Sequence, residues 1–118
     1  FYQEKNSGKY GLVFYGTTTY AAIEAMDEFI AQGSRIDAMR LRAFPFSVEV
    51  EAFIDAHETV FVIEQNKDGQ VRNLLINELE FNPRKLISVL NYNGYPITSD
   101  YIINQIGEHL SIKMIATA

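Results

Sequence analysis

The chain has 118 residues, a formal net charge of -5, 47% hydrophobic residues and 21% charged residues. That is the size of one domain with one core and the composition of a globular protein, not of a disordered segment. The acidic balance is a poor match for the phosphate backbone of DNA or RNA, and the lack of cysteine excludes disulfides, Cys-ligated zinc and Cys-ligated iron–sulfur clusters within this chain.

No apolar run approaches the roughly 20 residues of a membrane helix, and no basic, hydrophobic leader reads as a signal peptide. Neither nucleic acid nor a membrane is therefore expected as a partner. The missing cysteine fits a reducing compartment, so a cytoplasmic location is expected. The chain opens with Phe1-Tyr2-Gln3 and no initiator Met, which reads as a piece of something longer.

In chain order, residues 1–9 read as a linker or a short leading strand. Residues 10–107 read as a single α/β domain and 108–118 as a C-terminal tail without an assigned role. Tyr10–Tyr15 is β-prone and lacks polar alternation, as in a strand buried on both faces. Gly16 ends it, and Thr18 or Thr19 is placed to cap the next helix. Within Tyr20–Gln32, residues Ala22, Ile23, Met26, Phe29 and Ile30 fall on one helical face, and Gly33 is a C-terminal stop. Ile36–Leu41 is the next strand. Its Asp37 and Arg40 make it half-polar and place it nearer a sheet edge.

Phe44-Pro45-Phe46 is a loop, and Ser47 can cap a short helix from Val48 to about Ala56 with Val50, Phe53 and Ile54 inward. Thr59–Glu64 is the second all-apolar strand, followed by Gln65-Asn66. Asp68 is placed to cap a third helix to about Glu80, with Val71, Leu74, Leu75 and Leu79 inward. Pro83 breaks the chain, and Lys85–Leu90 is a weaker strand. Asn93-Gly94 turns. Pro96–Asp100 starts a last helix whose face is Tyr101, Ile102, Ile106 and Gln105.

Strand and helix alternate four times, which predicts a three-layer α/β/α fold with a mostly parallel sheet and right-handed crossovers. The two apolar strands should be central. The expected order is the Ile36 strand, the Tyr10 strand, the Thr59 strand and the Lys85 strand. The chain reverses direction across the sheet at the Tyr10 strand, and a crevice is expected there, outside the carboxyl ends of the strands. Gly16-Thr17-Thr18 and Glu64-Gln65-Asn66 meet at it.

One glycine before a helix allows an anion to approach free N–H groups. A dinucleotide fingerprint needs three glycines, and a P-loop needs a second glycine and a Lys-Ser/Thr pair. The loop has neither, so a bend with a cap is the stronger reading and an anion site at the crevice the weaker one. A side chain at Gly16 is expected to crowd the turn. His57 and His109 have no spaced second histidine and no clear acidic partner in the sequence, so both read as structural or solvated, with no metal site or triad. Arg42, Phe44, Pro45 and Phe46 combine aromatic rings, a stiff proline and an arginine, the composition of an interface core; a contact with the rest of its assembly or with a second copy is expected, and the alternative is that both rings tuck under the helix from Val48 and close the domain's own core.

The string from Leu41 to Leu75, LRAFPFSVEVEAFIDAHETVFVIEQNKDGQVRNLL, resembles the C-terminal domain of the alpha subunit of 2-oxoacid:ferredoxin oxidoreductases, the 2-oxoglutarate type most of all. The Phe-Pro-Phe loop, Val62-Ile63-Glu64-Gln65-Asn66, Asp68-Gly69-Gln70 and Val71-Arg72 carry the resemblance. Tyr15-Gly16-Thr17 and Gly94-Tyr95-Pro96-Ile97-Thr98 extend it over roughly residues 10–106.

The resemblance implies the fold of the transketolase C-terminal domain, with an antiparallel strand that residues 1–9 supply or follow. It also implies a cytoplasmic enzyme that uses thiamine diphosphate and magnesium to decarboxylate a 2-oxoacid, passes electrons through iron–sulfur centres to ferredoxin, and forms an acyl-CoA. Those cofactors belong elsewhere in the complex, with the rest of the alpha subunit and a beta subunit as partners. Asp68-Gly69 is only a fragment of the magnesium-binding Gly-Asp-Gly run. The chain is thus expected to bind no cofactor, to hold no catalytic residue and to serve structure and assembly. The alternatives are a C-terminal domain of transketolase or of a 2-oxoacid dehydrogenase, and a stand-alone flavodoxin-like module for a small ligand or anion. A receiver domain lacks support, because the first strand ends in Tyr15-Gly16 rather than in acids.

Overall fold

A computed structural model describes residues 9–33, 36–41, 48–65, 68–91 and 96–117; for 17 and 111–117 it describes the backbone alone. The strands are β1 (Tyr10–Phe14), β2 (Ile36–Arg40), β3 (Thr59–Glu64) and β4 (Leu86–Leu90). The helices are α1 (Thr19–Ala31), α2 (Val48–Asp55), α3 (Gln70–Leu79) and α4 (Ser99–Thr117). Short 3-10 turns span Gly16–Thr18 and Pro83–Lys85. The sheet runs β2-β1-β3-β4, and all three pairings are parallel. This is the expected order. The leading antiparallel strand falls on residues outside the described ones.

Alternation along the strands builds two cores. Leu12, Phe14, Phe61 and Ile63 face one way and pack with Ala22, Met26 and Phe29 of α1 and Ile102 and Ile106 of α4. Val13, Val60 and Val62 face the other way, against Val50, Phe53 and Ile54 of α2 and Val71 and Leu75 of α3. Helices therefore cover both faces, and the fold is three-layer α/β/α. All six residues of β3 are buried, as in a central strand covered on both faces, and its terminal Glu64 is buried with its hydrogen bonds satisfied.

Several local expectations shift. In α1 the buried face is Thr19, Ala22, Ala25, Met26 and Phe29, while Ile30 is exposed and Ile23 half-buried. The helix packs against both the sheet and α4, and the small side chains of Ala22 and Ala25 permit that close approach. In α3 only Val71 and Leu75, four residues apart, are fully buried; Leu74 is exposed because it lies one step, about 100°, around the helix. In α4 Gln105 is exposed.

The helix also runs on through Gly107 to Thr117, across the stretch read as a tail. Packing holds it there: His109 meets Phe61 edge-on with ring centroids 5.4 Å apart, and Leu110 packs on the same core. Pro83 opens a 3-10 turn, whose Arg84 N–H donates to Asn82 Oδ1 at 3.0 Å, so β4 begins at Leu86. Among the described residues no helix is long and apolar enough to cross a membrane.

Candidate functional site

The carboxyl ends of β1 and β3 lie side by side, since the two strands pair in register from Tyr10↔Thr59 to Val13↔Val62. The chain leaves β1 through Tyr15 and Gly16. Gly16 has φ of +60°, the left-handed region that glycine enters without a Cβ penalty. A Cβ placed on it would meet nothing within 4 Å. The turn is therefore not crowded, contrary to expectation, and the constraint at Gly16 is backbone conformation alone.

The threonines also act differently from the expectation. The Thr18 hydroxyl donates to Tyr15 O at 2.6 Å and the Thr19 hydroxyl to Gly16 O at 2.7 Å. Neither side chain accepts from the first turn of α1. The backbone N–H groups of Thr18 and Thr19 are also used within the turn, donating to Tyr15 O and Gly16 O. Thr18 and Thr19 are buried and lock the bend. Thr17 lies in the same 3-10 turn.

Across the crevice, Glu64 is the dominant group. Its side chain is wholly buried. Oε1 accepts the Val71 N–H at 2.8 Å, and Oε2 accepts the Arg72 N–H at 3.2 Å. The Tyr15 hydroxyl stands 3.5 Å from Oε1 and links the two loops. Glu64 thus caps α3 from the neighbouring strand, a task the sequence reading gave to Asp68. The local cap residue is Gly69, with φ of +60° and no side-chain bond to offer, so the orphan N–H groups of α3 need an acceptor from elsewhere. A carboxylate at a helix N-terminus also meets the positive end of the dipole. Gln65 is exposed. Asn66 lies outside the described residues, as do Arg42, Phe44, Pro45, Phe46, Ser47 and Asn93-Gly94.

Asp68 O accepts from Asn73 Nδ2 at 3.2 Å, and a Cβ on Gly69, the cap of α3, would stand 3.2 Å from Ser88 Oγ. The crevice groups described so far hold loops and helix ends together. The arrangement can fix geometry. Among the described residues no group of three or more His, Asp or Glu side chains is placed to hold a metal ion.

A second polar cluster sits at the opposite end of the sheet. His57 Nε2 lies 2.6 Å from Asp37 Oδ2, and His57 Nδ1 lies 2.6 Å from Phe53 O. Both side chains are almost wholly shut from solvent. His57 therefore has the acidic partner that the sequence did not reveal, and Asp37 is buried in a strand expected to be half-exposed. The missed signal is the lone acid in an otherwise apolar IDAM run. In register, Gly11 lies beside Asp37, and its missing side chain leaves room for the His57 ring.

No protein-family model matches the sequence, and no curated protein sequence matches it. Among solved structures, the chain is similar to the 2-oxoglutarate:ferredoxin oxidoreductase from Magnetococcus marinus, a structure with 2-oxoglutarate, coenzyme A and succinyl-CoA bound. The identity is 28% and the TM-score 0.76. The match covers 86% of this chain and 18% of that one. The likeness supports a domain of an oxidoreductase of this kind.

Proposed function

We propose that this chain is the C-terminal, transketolase-C-terminal-like domain of the alpha subunit of a thiamine-diphosphate-dependent 2-oxoacid:ferredoxin oxidoreductase, with a 2-oxoglutarate-like acid as substrate. Its role is structural: it seats the subunit in the complex and carries no complete active site. Thiamine diphosphate, magnesium and the iron–sulfur cluster belong to other parts of the assembly. The remainder of the alpha subunit and a beta subunit are its partners, and ferredoxin and coenzyme A serve the whole enzyme in the cytoplasm.

The observation that carries this reading is the structural likeness, at 28% identity, to a fraction of one oxidoreductase chain. It is joined by the use of the crevice groups. Glu64, Thr18 and Thr19 spend their hydrogen bonds on the chain itself, as in a domain that supports a site built elsewhere. The test is to recover the native protein from its source cells with an antibody raised against this chain. Mass spectrometry then reads its length and companions. A much longer polypeptide copurifying with a second subunit is expected; a lone 118-residue protein would refute the reading.

A further inference from the structure

The outer edge of β4 is held at both ends by side chains from opposite faces of the sheet. The Asn91 N–H donates to Glu64 O at 2.9 Å, with Glu64 and Leu90 in register. In a parallel pair, alternate residues turn their main chain to the partner. Ile87, Val89 and Asn91 therefore face β3, and Leu86, Ser88 and Leu90 face outward. From the first turn of α3, Arg72 Nε donates to the outward Leu86 O at 2.6 Å, and its terminal nitrogen donates to Pro83 O at 2.7 Å. From the first turn of α4, on the other face, the Tyr101 hydroxyl donates to the outward Leu90 O at 2.5 Å. The Leu86 N–H is also taken, by Pro83 O.

We propose that Arg72 and Tyr101 are an edge guard, which keeps β4 from pairing with the β4 edge of a second copy of this chain. A bare edge strand is a template for intermolecular pairing. β4 carries the apolar sequence LISVL, without the charge or proline that blunts many edges. An incoming strand needs the outward carbonyls of residues 86, 88 and 90. With the first and last carbonyls each already accepting and the guard side chains standing beside them, pairing at the two ends is weakened, and the middle alone is too little for a stable ladder. Both guards are well anchored. The Arg72 N–H is fixed by Glu64, and the Tyr101 N–H donates to Thr98 Oγ1 at 3.2 Å.

The test compares the 118-residue chain with its Arg72→Met/Tyr101→Phe variant, which keeps the stems and the ring. Sedimentation over a concentration series reads self-association, and amide exchange reads the edge. The variant should self-associate at least about tenfold more tightly than the parent, with slowed exchange at the Ser88 and Leu90 amides. Two results overturn the proposal: a folded variant that associates no more than the parent, or one that associates without protecting those amides. If the double variant does not fold, Tyr101→Phe alone decides. It removes one hydroxyl and little volume, and a smaller rise in association with the same protection is expected; no rise overturns the guard.

Discussion

His57 Nε2 and Asp37 Oδ2 meet at 2.6 Å in the buried layer between α2 and the sheet. The other ring nitrogen faces the Phe53 carbonyl, which can only accept. His57 must therefore donate from Nδ1, and one proton lies between Nε2 and the carboxylate. The pair ties the end of α2 to β2, the outermost of the described strands on that side. Phe53 also packs on the ring, with centroids 4.5 Å apart.

Removing one partner should strand the other. Asp37→Ala or His57→Ala should each destabilise the fold by about 3–5 kcal/mol, as for a broken buried pair. The joint change Asp37→Leu/His57→Phe should cost clearly less than the two single losses together. Urea unfolding measures all three. Additive losses would show that the contact carries no coupling.

Gly11 should tolerate no side chain. A Cβ there would stand 2.9 Å from Phe53 Cε1 and 3.3 Å from His57 Cγ. Both rings are buried, so relief requires the Phe53 and His57 rings to shift within the packed layer. Gly11→Ala should cost about 1–3 kcal/mol by overpacking, despite the better β propensity of alanine. An unchanged unfolding midpoint would mean that the ring pair shifts freely.

Glu64→Ala should leave the Val71 and Arg72 N–H groups without their carboxylate. The expected loss is about 1–3 kcal/mol, with faster amide exchange at those two residues. Glu64→Gln keeps an acceptor and loses the charge at the helix dipole, so it should cost less. Equal losses for Ala and Gln would show that the charge, not the acceptor, carries the cap.

At Gly16 the cause can be separated by side-chain size. Strain in the left-handed region predicts that Gly16→Ala and Gly16→Val both cost about 1–2 kcal/mol, with Gly16→Asn milder. Crowding predicts a loss that grows steeply from Ala to Val. The open space around the Cβ position favours the first pattern, and thermal unfolding distinguishes the two.

The sheet order was legible because two strands are largely apolar and one carries Asp37 and Arg40, although β2 proves as buried as β1. The stripe of α2 was legible because Val50, Phe53 and Ile54 are its inward residues and its apolar spacing has little ambiguity. Long-range polar pairing was not. Asp37 and His57 are 20 residues apart, and nothing local to either announces the other. The cap of α3 was misassigned for the same reason, since Asp68 is adjacent whereas Glu64 reaches it only through the fold. The continuation of α4 past residue 107 was not legible because the contacts of His109 and Leu110 with the core are long-range. That the loops after β1 and β3 adjoin, linked by Tyr15 and Glu64, was legible from the strand order; that the threonines turn back on their own carbonyls depends on the 3-10 geometry after Gly16.

The most direct measurement is made on the proposed 2-oxoacid:ferredoxin oxidoreductase, purified from the source cells with the partner subunit proposed for it. Reduction of ferredoxin is followed with 2-oxoglutarate and coenzyme A present. The complete complex should be active, the isolated 118-residue chain inactive, and a complex lacking these residues should fail to assemble. Full activity and assembly without them, or turnover by the isolated chain, would contradict a structural domain that supports a site built elsewhere.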